Sequence, residues 1–193
     1  MEYRNLGRTG ISVSRICLGT MTFGAQNSEA EGHAQMDMAF DHGVNFLDTA
    51  EMYSFPRDPE TQGNSERAVG SWMKARGNRD KVIVATKITG PGSDLTHIRG
   101  GDLKFGRKQI RDAVENSLLR LQTDYIDIYQ LHGLDSRDER EQALAPGGAV
   151  DAARKAQEQG LIRFLGLTGH VWDEIGHGVA TGVFDTVLCW YNC

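Results

Sequence analysis

The sequence predicts an α/β fold of the (β/α)8 TIM barrel type, of which about six βα units are present behind an N-terminal β-hairpin. Three observations carry this expectation. Strand-like apolar runs alternate with helical patterns roughly every 35–40 residues, the size of a right-handed parallel crossover unit. The turn after the first such strand reads Gly19-Thr20-Met21-Thr22-Phe23-Gly24, which does not fit the GxGxxG phosphate loop usual in a doubly wound sheet. Side chains able to carry chemistry stand at the tips of several successive strands, and a barrel gathers all such tips into one cleft.

Taken in order, residues 2–14 hold two short extended pieces around Gly7-Arg8-Thr9-Gly10, the pattern of a hairpin. The run 15–19 is a strand and 20–24 a glycine-bounded loop. Residues 29–42 read as a weakly amphipathic helix with Ala30, Ala34, Met38 and Ala39 on one side, stopped by Gly43. The run 44–48 follows as a buried, β-prone strand with an acid at its end. Residues 54–63, with Pro56 and Pro59, form a loop. Asn64 or Ser65 is expected to cap the next helix, whose apolar side is Ala68, Val69, Trp72 and Met73 and which Gly77 ends.

The strand 82–87 leads into a glycine-containing loop, 90–101, read as a mobile lid or as a surface loop. Ile110, Val114, Leu118 and Leu121 place one apolar stripe on a helix over 108–121. The strand 125–131 ends at His132, the charged stretch 135–142 reads as a loop, and a helix over 149–159 stops at Gly160. A strand over 162–169, a glycine-bearing helix over 172–181 and a strand over 184–191 complete the alternation. Arg99, Lys104 and Arg107 read as solvated loop cations, and Gly147-Gly148 as loop punctuation.

With 193 residues, 39% hydrophobic and 24% charged, the chain has ordinary globular composition and is read as one domain over 1–193. A net charge of -5 argues against a nucleic-acid or anionic-membrane partner. No apolar run approaches the ~18 residues of a membrane span, and the first residues do not resemble a signal peptide. Cys17, Cys189 and Cys193 have no metal-type spacing and read as buried free thiols in a reducing, cytoplasmic compartment. His170 and His177 lack i,i+4 spacing, so no metal is expected there. Closed barrels of this kind typically need about 250 residues. The expectation is therefore a barrel lacking its last third, with two sheet edges unpaired.

Asp48, Lys87 and His132 end three different strands, and Tyr53 follows the first of them by one short turn. A free tyrosine, with a pKa near ~10, gives up its proton reluctantly at neutral pH. A neighbouring ammonium stabilises the phenolate, and a buried carboxylate keeps that ammonium charged and oriented. An imidazole at the same point can orient a carbonyl oxygen or share in the proton relay. Such a set suits protonation of a carbonyl oxygen while hydride arrives at carbon. It suits acyl transfer poorly, because no serine or cysteine sits in a nucleophile elbow. Singly, the four have plainer readings as a strand-end carboxylate, a loop aromatic, a surface lysine and a structural histidine; their shared placement favours the catalytic set.

The stretches LGRTGISVSRICLGTMTFG, FLDTAEMY, SERAVGSW, VIVATK, SLLRLQTDYIDIYQLH and GLIRFLGLTG together resemble the aldo-keto reductase family over essentially the whole chain. The likeness is nearest to the branch with GTMTFG, ETQG and a long loop after the strand 82–87. It implies Tyr53 as general acid/base, Lys87 and Asp48 as its tuning pair, and His132 as the residue that sets substrate orientation. It implies a nicotinamide cofactor, usually NADP with NAD as the alternative, across the barrel mouth, and a small-molecule aldehyde or ketone as substrate. Gly19, Thr20, Met21 and Asp48 would lie beside the nicotinamide and its ribose, with Thr168, Gly169 and His170 at the carboxamide. The sequence departs from the family in three places: Gly133-Leu134 follows the histidine where many members have Trp-Pro, Thr168-Gly169-His170 replaces Ser-Asn, and Leu188 replaces a common glutamine. The Gly169-His170 pair and Leu188 keep open a sugar or polyol dehydrogenase on the same residues. The shortened barrel keeps open a non-catalytic, cofactor-sensing or regulatory subunit.

Overall fold

Strands that pair in the order in which they are synthesised frame the molecule, a computed structural model that describes residues 1–91 and 95–191. The chain opens with the expected hairpin, β1 (Tyr3–Asn5) antiparallel to β2 (Ser12–Ser14). Then β3 (Cys17–Gly19), β4 (Phe46–Asp48), β5 (Ile83–Thr89), β6 (Ile126–His132), β7 (Ile162–Gly169) and β8 (Thr186–Cys189) form one curled parallel sheet of six strands. The sheet follows the barrel plan without closing, and β3 and β8 are its edges.

The helices cover the outer face of the sheet. α1 (Glu29–Asp41) starts in a capping box, Ser28 accepting from the Glu31 N–H while the Glu31 carboxylate accepts from the Ser28 N–H. Its buried face is not the expected alanine stripe: Gly32 and Met36 are buried, and Met38 is 67% exposed. The glycine decides this, because a Cβ at Gly32 would lie 3.1 Å from the Phe23 ring. α2 (Asn64–Arg76) buries Ala68, Val69, Trp72 and Met73 as expected, but neither Asn64 nor Ser65 caps it. Gly63 takes the cap position at φ 79, and the Ser65 hydroxyl instead bonds Thr20 Oγ1 (2.7 Å) and Thr49 Oγ1 (2.8 Å).

α3 (Arg107–Leu121) buries Ile110, Val114 and Leu121, with Leu118 partly covered. Most of the stretch expected as a charged loop is a helix, α4 (Arg137–Leu144). Ser136 accepts from the Glu139 N–H at its start, Arg137 pairs with Glu141 at 2.6 Å, and Arg140 reaches Glu174 at 2.8 Å on α6 (Trp172–Ala180). Charge there encodes pairing along and between helices. α5 (Ala149–Glu158) completes the layer.

Between sheet and helices lies the core, built on Phe23, Met36, Leu47, Trp72, Ile110 and Leu121. Among the described residues three carboxylates are buried with it, each held by arginine: Glu66 by Arg120 (2.6 Å), Asp127 by Arg79 (2.8 Å) and Arg163 (2.6 Å), and Glu51 by Arg99 (3.0 Å). Arg99 is thus no solvated cation; its side chain is 6% exposed. The described part of the 90–101 loop is anchored by this pair and by the burial of Leu95 and Ile98 with Leu103, while 92–94 lie outside the described residues. Cys17 is exposed and Cys189 half-buried, contrary to expectation, because both sit on edge strands; Cys193 lies outside the described residues.

Candidate active site

The rim at the carboxyl ends of the strands is set by register. Gly19 pairs with Asp48, Asp48 with Ala85 and Ala85 with Ile128. Two residues further along, Lys87 pairs with Gln130 and Gln130 with Gly166. Side chains two apart share a face of a strand, so Asp48, Lys87 and Gln130 all enter the concave side. After Asp48 the chain keeps its bonds to β5, Thr49 N–H to Ala85 O (2.9 Å) and Glu51 N–H to Lys87 O (3.0 Å), then turns through Tyr53 N–H to Ala50 O (3.1 Å). The turn brings the Tyr53 ring over the Lys87 ammonium, 4.8 Å from nitrogen to centroid.

Lys87 is 1% exposed, so its charge depends on partners. Its ammonium donates to Asp48 Oδ1 and to the Thr49 carbonyl (2.8 Å). The second oxygen of Asp48 accepts from Gln130 Nε2 at 3.3 Å. His132 stands edge-on to Tyr53, ring centroids 6.0 Å apart at 87°. Burial, with the Lys87 charge adding to it, pushes the imidazole pKa down to about 3, so the ring is neutral at physiological pH. Its Nδ1 is buried without a partner among the described residues.

Opposite these groups, Thr168, Gly169, His170, Leu188, Cys189 and Trp190 close a cavity of about 190 Å³. Thr168 is locked to the loop after β6, its Oγ1 accepting from Gly133 N–H (3.1 Å) and its carbonyl from Leu134 N–H (2.9 Å). Asp135 accepts from the backbone N–H groups of His170 and Val171 and from His170 Nδ1 (2.7 Å). Burial raises the Asp135 carboxyl, but the His170 side-chain and backbone bonds outweigh it and hold the group below the ordinary carboxylate range. The His170 ring packs edge-on against Trp190, 4.8 Å between centroids.

The structure therefore brings Asp48, Tyr53, Lys87, His132, Thr168, Gly169 and His170 around one rim. Gly19 and Met21, the latter 43% exposed, stand at its β3 side. Thr20 is turned away from it: it is 0% exposed, its hydroxyl bonded to Ser65 and to the Asp48 carbonyl (3.0 Å). Sequence reasoning missed Gln130 and Asp135. Gln130 was findable, since it lies two residues before His132 and shares its face. Asp135 was not, because only the fold sets it against the β7 tip.

Residues 15–188 match the family model described as the aldo/keto reductase family. Protein tas of Escherichia coli is 41% identical over 179 residues, covering 87% of this chain and 52% of its own length. Aldo-keto reductase YhdN of Bacillus subtilis is 33% identical over 196 residues, covering 100% of this chain and 54% of its own. The chain thus spans about half the length of these relatives. An aldo-keto reductase of Bacillus halodurans, solved in a holo form, superposes with a TM-score of 0.79 at 29% identity, over 99% of this chain and 58% of that one.

Proposed function

We propose a function from this premise: the chain belongs to the aldo/keto reductase family. Membership supports an NADP(H)-dependent oxidoreductase. In the finer reading, the rim reduces an aldehyde or ketone, with Tyr53 as the proton donor and NADPH preferred to NADH. The observation that carries this reading is the buried Lys87 ammonium, held by Asp48 and lying against the face of the Tyr53 ring.

As a carbonyl oxygen takes the phenol proton, negative charge develops on Tyr53, and the adjacent buried ammonium stabilises it. Asp48 and the Thr49 carbonyl keep that ammonium charged and fixed, and Gln130 fixes Asp48 in turn. His132 is neutral, so it contacts the carbonyl oxygen as a hydrogen-bonding group and leaves proton delivery to the phenol. The rim also fits the nicotinamide end of a cofactor. No atom lies within 4 Å of where a Cβ on Gly19 would stand, which leaves the β3 tip open to close approach beside Asp48. Gly19, Met21, Thr168, Gly169 and His170 would hold that end, with Thr20 shaping the loop from beneath. When bound, the cofactor supplies the hydride.

Substituting Tyr53→Phe tests the reading. Carbonyl reduction should fall by roughly 10³-fold or more, the scale of a lost general acid, while NADPH binding followed by its fluorescence stays within about twofold. A Y53F protein that turns over at the native rate overturns the assignment. The same rim would also serve a non-catalytic cofactor-sensing subunit; NADPH binding with no consumption of any carbonyl would support that reading. A sugar or polyol dehydrogenase would use the same residues in the oxidative direction, with the polar His170 and Thr168 wall receiving hydroxyl groups. The free thiols of Cys17 and Cys189 support a reducing, cytoplasmic compartment within the same proposal.

A further inference from the structure

A groove of about 490 Å³ runs between α3 and α5 and shares no residue with the rim. Its floor is apolar: Val114 from α3, Ala152 and Ala156 from α5, and Leu161 just beyond. Ala152 and Ala156 are one helical turn apart and so point the same way, and their short methyl side chains leave the space a larger residue would fill. Its rim is cationic, with Arg107, Lys108 and Arg111 on one side and Lys155 on the other, and no carboxylate among the described residues lines it. Lys108 and Arg111 are drawn towards Asp112, and Arg111 also towards Glu115 at 3.8 Å. Arg107 and Lys155 form no ion pair among the described residues, in a chain whose net charge is -5.

A volume of this size lies within the ~300–1,000 Å³ of small-molecule sites, which pair an apolar lining with a few placed polar groups. Methyl-lined depth and a cationic mouth select a ligand with an apolar body and an anionic head. The planar fork of a guanidinium matches a planar carboxylate bidentately. We propose that the α3–α5 groove binds an amphiphilic carboxylate, an aliphatic chain of medium length lying on Val114, Ala152 and Ala156 with its head between Arg107 and Lys155. The site is independent of the carbonyl-reduction rim and stands whether or not that reading does.

Decanoate is the probe, titrated into the protein by isothermal calorimetry, with decanol and inorganic phosphate as controls. The expected result is saturable one-site binding of decanoate, with decanol roughly tenfold weaker and phosphate weaker still, since each lacks half of the recognition. The double variant Arg107→Glu/Lys155→Glu, at two exposed positions, should weaken decanoate roughly tenfold. Ala156→Phe should abolish binding by filling the floor, and far-UV circular dichroism checks that it folds; the charge variant stands alone if it does not. Equal decanoate affinity in the charge variant overturns the proposal and would point to the exposed apolar edge at Val187, Leu188 and Trp190. Decanol binding as well as decanoate, or no saturable binding at all, overturns it equally.

Discussion

His132 makes the stability of this fold depend on pH in a way that can be computed in advance. Burial, then the Lys87 ammonium, and more weakly His170 and Arg57, oppose a charge on its ring, and Asp135 favours one. The folded-state pKa is about 3, against 6.5 for an unperturbed imidazole. Above pH 6.5 both folded and unfolded chains carry the ring neutral, and it contributes nothing to the pH dependence. Below that point the unfolded chain takes up a proton that the native ring refuses until pH about 3, so stability is lost as the pH falls through this window. The loss runs at about 1.4 kcal/mol per pH unit, which amounts to about 2 kcal/mol between pH 7 and pH 5. Urea unfolding followed by circular dichroism at pH 7, 6 and 5 measures it, with His132→Gln as the reference that cancels every other titrating group. The native protein should lose about 2 kcal/mol more than the H132Q variant over that range. Parallel pH profiles would show that the ring takes up a proton as readily in the fold as in the unfolded chain, and the argument for a neutral imidazole at the rim would fail with it.

Two further outcomes follow from packing. Arg120→Ala leaves the fully buried Glu66 carboxylate with Thr86 as its remaining hydrogen-bonding side chain and should cost about 3 kcal/mol in urea unfolding, whereas the exposed Arg137→Ala should cost under ~0.5 kcal/mol. Gly70→Ala would place a Cβ 2.5 Å from the Arg120 carbonyl oxygen and should destabilise by about 2 kcal/mol or more. Gly176→Ala, with nothing within 4 Å in the interior of α6, should gain ~0.5–1 kcal/mol; thermal melts of the two variants decide it.

What could be read from the sequence depended on how local its cause was. Strand tips were legible because an apolar run that stops at Asp48, Lys87 or His132 marks its own end. α4 was missed because its register is written in charge: Ala143 is its one buried residue, so no apolar stripe announces it. Ser136 followed by Glu139 is nevertheless a start signal of the S-x-x-E kind and would have found it. The burial of Arg99 was not legible, since its partner Glu51 lies 48 positions away and only the sheet brings them together. For the same reason Ser65 reads as a cap in sequence but serves as a tie between the Thr20 loop and the Thr49 turn.

The site follows from register more than from the identity of any one residue. Leu47, Val84, Thr86, Ile88, Tyr129 and Leu165 alternate with the rim residues along their strands and are buried. A slip of one residue between β4 and β5 would exchange these two sets, driving Lys87 into the helix layer and exposing Val84 or Ile88 on the concave side. The helix layer could not receive the ammonium, since Glu66 and Glu51 there are already taken up by Arg120 and Arg99. The burial of Val84, Thr86 and Ile88 and the pairing of Lys87 with Asp48 therefore enforce one another, and the hydrophobic core itself is what sets an amine beneath a phenol at the rim.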